Sequence, residues 1–115
     1  MTQPAPNYSA RSASVGMVGR TLNTIRQHAI VIESPAMNGE INSAEAFLVG
    51  ISSCGVTLIE AAAQQLGIGI QHMEVQIDGY RQPDVAAFEH IDMRFTFVGP
   101  SESEAAVLVG RYRDG

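Results

Sequence analysis

Few side chains in this sequence have the type and spacing that chemistry needs. The three histidines, His28, His72 and His90, lie far apart with no cysteine or paired carboxylates beside them, so no metal-ligand spacing is present. Gly67-Ile68-Gly69 lacks the flanking pattern of a phosphate-binding loop, and no serine stands in a nucleophile elbow. What remains is Cys54, the single cysteine. Two readings of it stand side by side. A free cysteine packs well as a small hydrophobe in an apolar helix. As a thiolate it is a nucleophile, and its neighbours Gly50, Ser52, Ser53 and Gly55 are small enough to admit a ligand or a second backbone.

The element that must position Cys54 runs from Asn42 to Leu66. Its length and its alanine and leucine content predict a helix. Asn42 is placed to cap its start, with Glu45 three positions on as the capping-box partner, and Gly67 is a natural stop. Cys54 stands twelve residues past that cap, too deep for the helix N-terminus to activate it. A reactive thiolate here needs a cation delivered from another element. Between Ala44 and Leu66 the only charges are Glu45 and Glu60, so the helix has no wide polar face. Helices of that kind are buried on most of their circumference. A chain this short can hardly wrap one, so a second subunit is expected.

Around the helix the pattern is regular. Ser12–Val18, Thr21–Arg26 and Ala29–Glu33 read as three strands of an antiparallel meander, with short turns at Gly19-Arg20 and Gln27-His28. His72–Asp78 alternates, as does the run through Ile91, Met93, Phe95 and Phe97. Gly79 reads as the end of the first of these two strands. Ser101 and Glu104 form a second capping box, opening a helix over roughly 102–112. The expected fold is α+β in the order βββ-α-ββ-α. Residues 1–11 read as a flexible tail and 12–115 as one domain.

The composition narrows the function. The net charge of −5, with all seven basic residues arginine and no basic run, argues against a nucleic-acid partner. A lone cysteine favours a reducing compartment, and residues 1–12 lack the basic start and apolar run of a signal peptide. Ser52, Ser53, Thr57 and Glu60 interrupt the helix, so no membrane span is expected. A cytoplasmic protein with no metal or cofactor fits these traits.

The ordered set IESP (32–35), NSAEAFLVGISSCGVTLIEAAAQQLGI (42–68) and HMEVQIDG (72–79) resembles the OsmC-like family, which includes organic hydroperoxide resistance proteins. The resemblance covers roughly Arg20 to Arg113. It implies an α+β fold whose protomers intertwine as a homodimer around two long central helices. It also implies a peroxidatic thiolate that reduces organic hydroperoxides beside an Arg and a Glu, in a pocket at the dimer interface. Cys54 matches the thiol, Glu45 the acid opening the helix and Arg20 the cation, with Arg26 as rival. His28 matches a recurring histidine that is more often structural.

Two departures from the family pattern stand out. Glu45 lies nine residues before Cys54, where hydroperoxide reductases place the acid one residue earlier, after a proline. At about 100° per residue that spacing is half a turn out of phase. Active members also carry a second, resolving cysteine beyond the second helix, followed by a last strand, and neither is found through Arg113-Asp114-Gly115. The expected activity is therefore thiol-dependent peroxide reduction using a small thiol or dithiol as reductant. The alternatives are a silent relative binding an apolar small molecule between protomers, and a purely structural cysteine.

Overall fold

The computed structural model describes residues 4–114. Its elements are β1 (Arg11–Ser14), β2 (Arg20–Ile25), β3 (His28–Glu33), α1 (Ser43–Leu66), β4 (His72–Tyr80), β5 (His90–Val98) and α2 (Glu102–Asp114). This is the α+β order expected. The chain groups into two compact units, Met1–Ala46 and Phe47–Gly115. Of the tail expected over residues 1–11, residues 1–3 lie outside the described ones, residues 4–10 are exposed, and Arg11 belongs to β1.

In the first unit β1, β2 and β3 form an antiparallel sheet in that order. β1 is shorter than its alternation suggests. Gly16 turns the chain with φ +82°, so Val15 and Met17 leave the ladder and are exposed. β2 and β3 meet through a two-residue turn at Arg26-Gln27, with Arg26 in the left-handed region at φ 54°. That turn lies one residue earlier than the sequence pattern indicates. It sets the register Arg20↔Glu33, Leu22↔Val31 and Ile25↔His28.

The second unit packs α1 and α2 on one face of the β4-β5 hairpin. Its centre is Ile59, Ala63, Met73 and Leu108, surrounded by Val56, Val75, Phe95, Phe97 and Tyr112. Gly55, Ile59 and Ala63 recur at four-residue spacing and form the only buried stripe of α1. The alternation of β4 and β5 pairs Met73 with Phe97, Val75 with Phe95 and Ile77 with Met93. Ile59 and Leu108 are wholly buried, so replacing either by alanine should cost about 2–5 kcal/mol. A denaturant midpoint shift without a change of slope is the expected reading.

Both capping boxes form. Glu45 N–H donates to Asn42 Oδ1 and Asn42 N–H to Glu45 Oε1, each at 2.9 Å. Ser101 and Glu104 repeat the arrangement on α2. α1 ends at Gly67, φ +70°, where the Ile68 N–H reaches back to the Ala63 carbonyl at 2.9 Å. That is a Schellman close, which favours glycine.

Gly79 does not end β4, which runs on through Tyr80, stacked on its cross-strand partner His90 at 4.4 Å. The glycine is there for space. A Cβ would stand 2.5 Å from the Phe88 ring, which folds under the strand and stacks on Phe47 at 6.1 Å. Gly79→Ala should therefore displace Phe88 and lower thermal stability.

Candidate functional site

Cys54 stands on the exposed side of α1. Phe47, seven residues before it, and Leu58, four after, fall within about 40° of it around the helix. Both are large, apolar and more than half exposed, at 56% and 54%. The thiol therefore lies in an uncovered apolar stripe, opposite in character to the buried stripe through Gly55 and Ile59. Among the described residues no hydrogen-bond partner of the sulfur is present, and Thr57 Oγ1 donates to the Cys54 carbonyl at 3.2 Å.

The charged centre of the first unit is Glu33, the one polar or charged residue buried there among the described residues, at 2% exposure. Its two oxygens divide their work. Oε1 accepts the N–H groups of Gly39 and Glu40, each at 2.8 Å. Oε2 accepts Arg20 Nε–H at 2.6 Å and lies 2.6 Å from the same guanidinium's Nη2. The cross-strand register sets Arg20 and Glu33 directly opposite one another, so backbone pairing alone brings them to one face of the sheet. The Arg20 side chain stays 38% exposed.

The Arg20 hydrogen bond, aided by the Glu40 and Gly39 amides, holds the Glu33 carboxyl below its ordinary value of 4.5 against the opposing effect of burial. The sign follows: a depressed folded value gives stabilisation that is fully present above about 4.5 and is lost as pH falls through the lower folded value. Acid titration should loosen the first unit in that window, and Glu33→Gln should flatten the dependence. Amide exchange of β2 and β3 between pH 5 and pH 2 is the check.

The residues singled out in the sequence are thus placed as follows. Arg20 opens β2 and is bound by Glu33. Arg26 occupies the β2–β3 turn, exposed. Glu45 is engaged in the Asn42 cap. His28 opens β3, exposed. Glu33, the partner that holds Arg20, was not singled out in the sequence, although it lies within the IESP motif and ends β3. Its signal was there in the hairpin register, and a correct placement of the turn would have revealed it. Among the described residues no group of three or more His, Cys, Asp or Glu could hold a metal ion.

A concavity lies in the second unit between α1 and α2. It is a groove of about 630 Å³ lined by Leu58, Ala62, Ala106, Val107, Gly110 and Tyr112, with the charged Arg111 and Asp114 also on its wall.

A three-stranded antiparallel sheet in one unit, and in the other a two-stranded sheet packed by a long apolar helix and a shorter one, define an α+β class in the order βββ-α-ββ-α. The chain belongs to the OsmC-like protein family, whose model matches residues 36–109, more than half of its length. Solved structures share the fold at low sequence identity. An OsmC-like protein from Mycoplasma pneumoniae is 15% identical with a TM-score of 0.84, covering 95% of this chain and 82% of that one. An organic hydroperoxide resistance protein from Legionella pneumophila is 18% identical with a TM-score of 0.64, covering 97% and 85%. An OsmC-like protein of unknown function from Vibrio cholerae is 13% identical with a TM-score of 0.69, covering 95% and 86%. No curated protein sequence matches. Family membership also explains α1. Length and composition alone would let it cross a membrane, yet it is the core helix of this fold, packed on Met73 and Leu108.

Proposed function

We propose that this protein reduces organic hydroperoxides with Cys54 as the peroxidatic thiol, working as a cytoplasmic homodimer. The observation that carries the proposal is the exposure of Cys54 in line with Phe47 and Leu58. A cysteine kept only as core packing would sit in the Gly55–Ile59–Ala63 stripe, which is buried. The name of the Legionella pneumophila relative points to the same substrate class.

The Cys54 thiolate attacks the distal peroxide oxygen. An S–O bond forms as the O–O bond breaks, the sulfur becomes a sulfenic acid, and the alkoxide leaves and takes a proton to become the alcohol. Arg20 supplies the positive charge that favours the thiolate and the developing alkoxide. A small thiol then condenses with the sulfenic acid, releasing water, and a second thiol frees Cys54. A second copy covering the exposed stripe of α1 would surround the sulfur with hydrocarbon, which suits an organic peroxide better than hydrogen peroxide. Titrating thiol alkylation against pH tests the proposal. Fast alkylation near neutral pH is expected, and an inert thiol overturns the proposal.

The groove lined by Leu58, Ala62 and Val107 favours a second reading, a silent relative that holds an apolar small molecule. Retention of a hydrophobic dye by a Cys54→Ser protein, together with an inert wild-type thiol, would select it.

A further inference from the structure

We propose that Asn38 is a site of spontaneous modification to aspartate and isoaspartate, and that the buried Glu33 carboxylate guards it. Once made, the change releases that carboxylate, so the Asn38-Gly39 loop is a one-way switch of the first unit. The proposal is independent of Cys54 and lies wholly within the unit Met1–Ala46.

The loop is built around an anion. Gly39 N–H and Glu40 N–H both donate to Glu33 Oε1, each at 2.8 Å. Successive backbone amides that converge on one anion form a nest, which a residue in the left-handed region helps to shape. Asn38 is that residue, at φ 54°, a conformation that asparagine adopts more readily than most side chains. Gly39 provides the room: a Cβ there would stand 3.1 Å from the same Oε1. Glu33 is 2% exposed, and a buried carboxylate is costly without donors. Asn-Gly is therefore the pair that the nest requires.

The same pair is open to self-modification. Asn38 is the only asparagine in the chain that precedes a glycine, whose bare Cα leaves its nitrogen free to approach Asn38 Cγ. Asn23 Nδ2 donates to Thr21 Oγ1 and the Ile30 carbonyl, and Asn42 Oδ1 accepts Glu45 N–H. Asn38 is exposed. Among the described residues its side chain has no hydrogen-bond partner.

The chemistry needs only water. Gly39 N gives its proton to hydroxide and attacks Asn38 Cγ. An N–C bond forms, the Cγ–NH2 bond breaks, and ammonia leaves with a proton from water. Water then adds to one carbonyl of the five-membered imide. Opening at Cγ gives aspartate; opening at the backbone carbonyl gives isoaspartate, whose backbone is one methylene longer. Nothing is oxidised or reduced. The guard acts at the first step, because the proton that must leave is the one donated to Glu33 Oε1. An anion beside that nitrogen also disfavours a second negative charge on it. Glu33 is a poor base there, since the Arg20 hydrogen bond and the two amides hold its carboxyl below its ordinary value against burial.

After the rearrangement to isoaspartate, the lengthened link no longer presents both amides to one oxygen. Either product adds a negative charge to the loop that holds Glu33. The carboxylate then keeps only Arg20, and the Glu33 N–H bond to the Ile41 carbonyl, 2.9 Å, loses its support.

The experiment ages the full chain at mildly alkaline pH, folded and in denaturant, for wild type, E33Q and E33A. Circular dichroism is the folding control, and peptide mapping locates and counts isoaspartate and aspartate. Wild-type Asn38 should convert at least about tenfold more slowly folded than unfolded, the worth of one charge-assisted hydrogen bond. Folded E33Q, whose neutral oxygen accepts more weakly, should convert faster than folded wild type, and E33A faster still. Modified wild type, separated by ion exchange, should have lost amide-exchange protection at Glu33, Gly39 and Glu40. Equal folded and unfolded rates overturn the proposal, as does a folded E33Q no faster than wild type. Conversion of Asn23 or Asn42 ahead of Asn38 overturns it too, and so does unchanged amide exchange in the modified chain. Should E33A fail to fold, E33Q decides, because its amide oxygen can still accept both N–H groups. The wild-type comparisons stand without either variant.

Discussion

A Cys54→Ser protein should fold and assemble like the wild type and consume no organic hydroperoxide above the rate of buffer. The first half follows from position. Cys54 is exposed on α1, outside the Ile59–Ala63–Met73–Leu108 core, so removing its sulfur leaves no cavity. The second half follows from chemistry. A serine hydroxyl is not ionised near neutral pH and cannot accept oxygen as sulfur does. Peroxide consumption followed by a ferrous-dye assay, beside a thermal melt, separates the two. Wild-type rates in Cys54→Ser would remove the thiol from the reaction altogether.

The second large effect concerns assembly. Within its own unit α1 buries only Gly55, Ile59 and Ala63, while Phe47, Val49, Leu58 and Leu66 remain 42–59% exposed. Apolar surface of that extent on one helix marks an interaction face, and we propose that a second copy of the chain covers it. Leu58→Glu would then place an unpaired carboxylate in an apolar interface, at a cost of several kcal/mol. Association should weaken by on the order of 100-fold or more. Light scattering should show a dimer for the wild type that persists until unfolding, and a monomer for Leu58→Glu. A stable wild-type monomer at micromolar concentration would contradict the proposal.

Much of the fold was legible because local rules agree with one another. The two capping boxes, the glycine close of α1 and the alternation of β4 and β5 are each set by residues within a few positions. The misses share a physical cause: close approach and register depend on distant partners. β1 reads as seven residues because Ala13, Val15 and Met17 alternate, but the positive φ of Gly16 ends the pairing. Gly79 reads as a stop, yet what it provides is room for the Phe88 ring, which lies nine residues on in the chain and leaves no trace in local spacing.

The candidate site shows the same division. Cys54 was readable from residue type, since nothing else in the chain offers a comparable nucleophile. The Arg20–Glu33 pair was not, because it hangs on one turn. Placing the two-residue turn at Gln27-His28 sets Leu22 opposite Glu33. Moving it to Arg26-Gln27 shifts every pairing by two residues and brings Arg20 there instead. Glu45 was the natural acid by sequence neighbourhood, and the cap that recommends it as a helix opener is also what occupies its carboxylate.

The most direct test of Cys54 as the peroxidatic residue is mass spectrometry of the reduced protein after one equivalent of an organic hydroperoxide, with a sulfenic-acid trap present. The expected result is one trapped sulfenic acid per chain, located at Cys54, with the corresponding alcohol released in equal amount. An unmodified Cys54 with the hydroperoxide intact would contradict it.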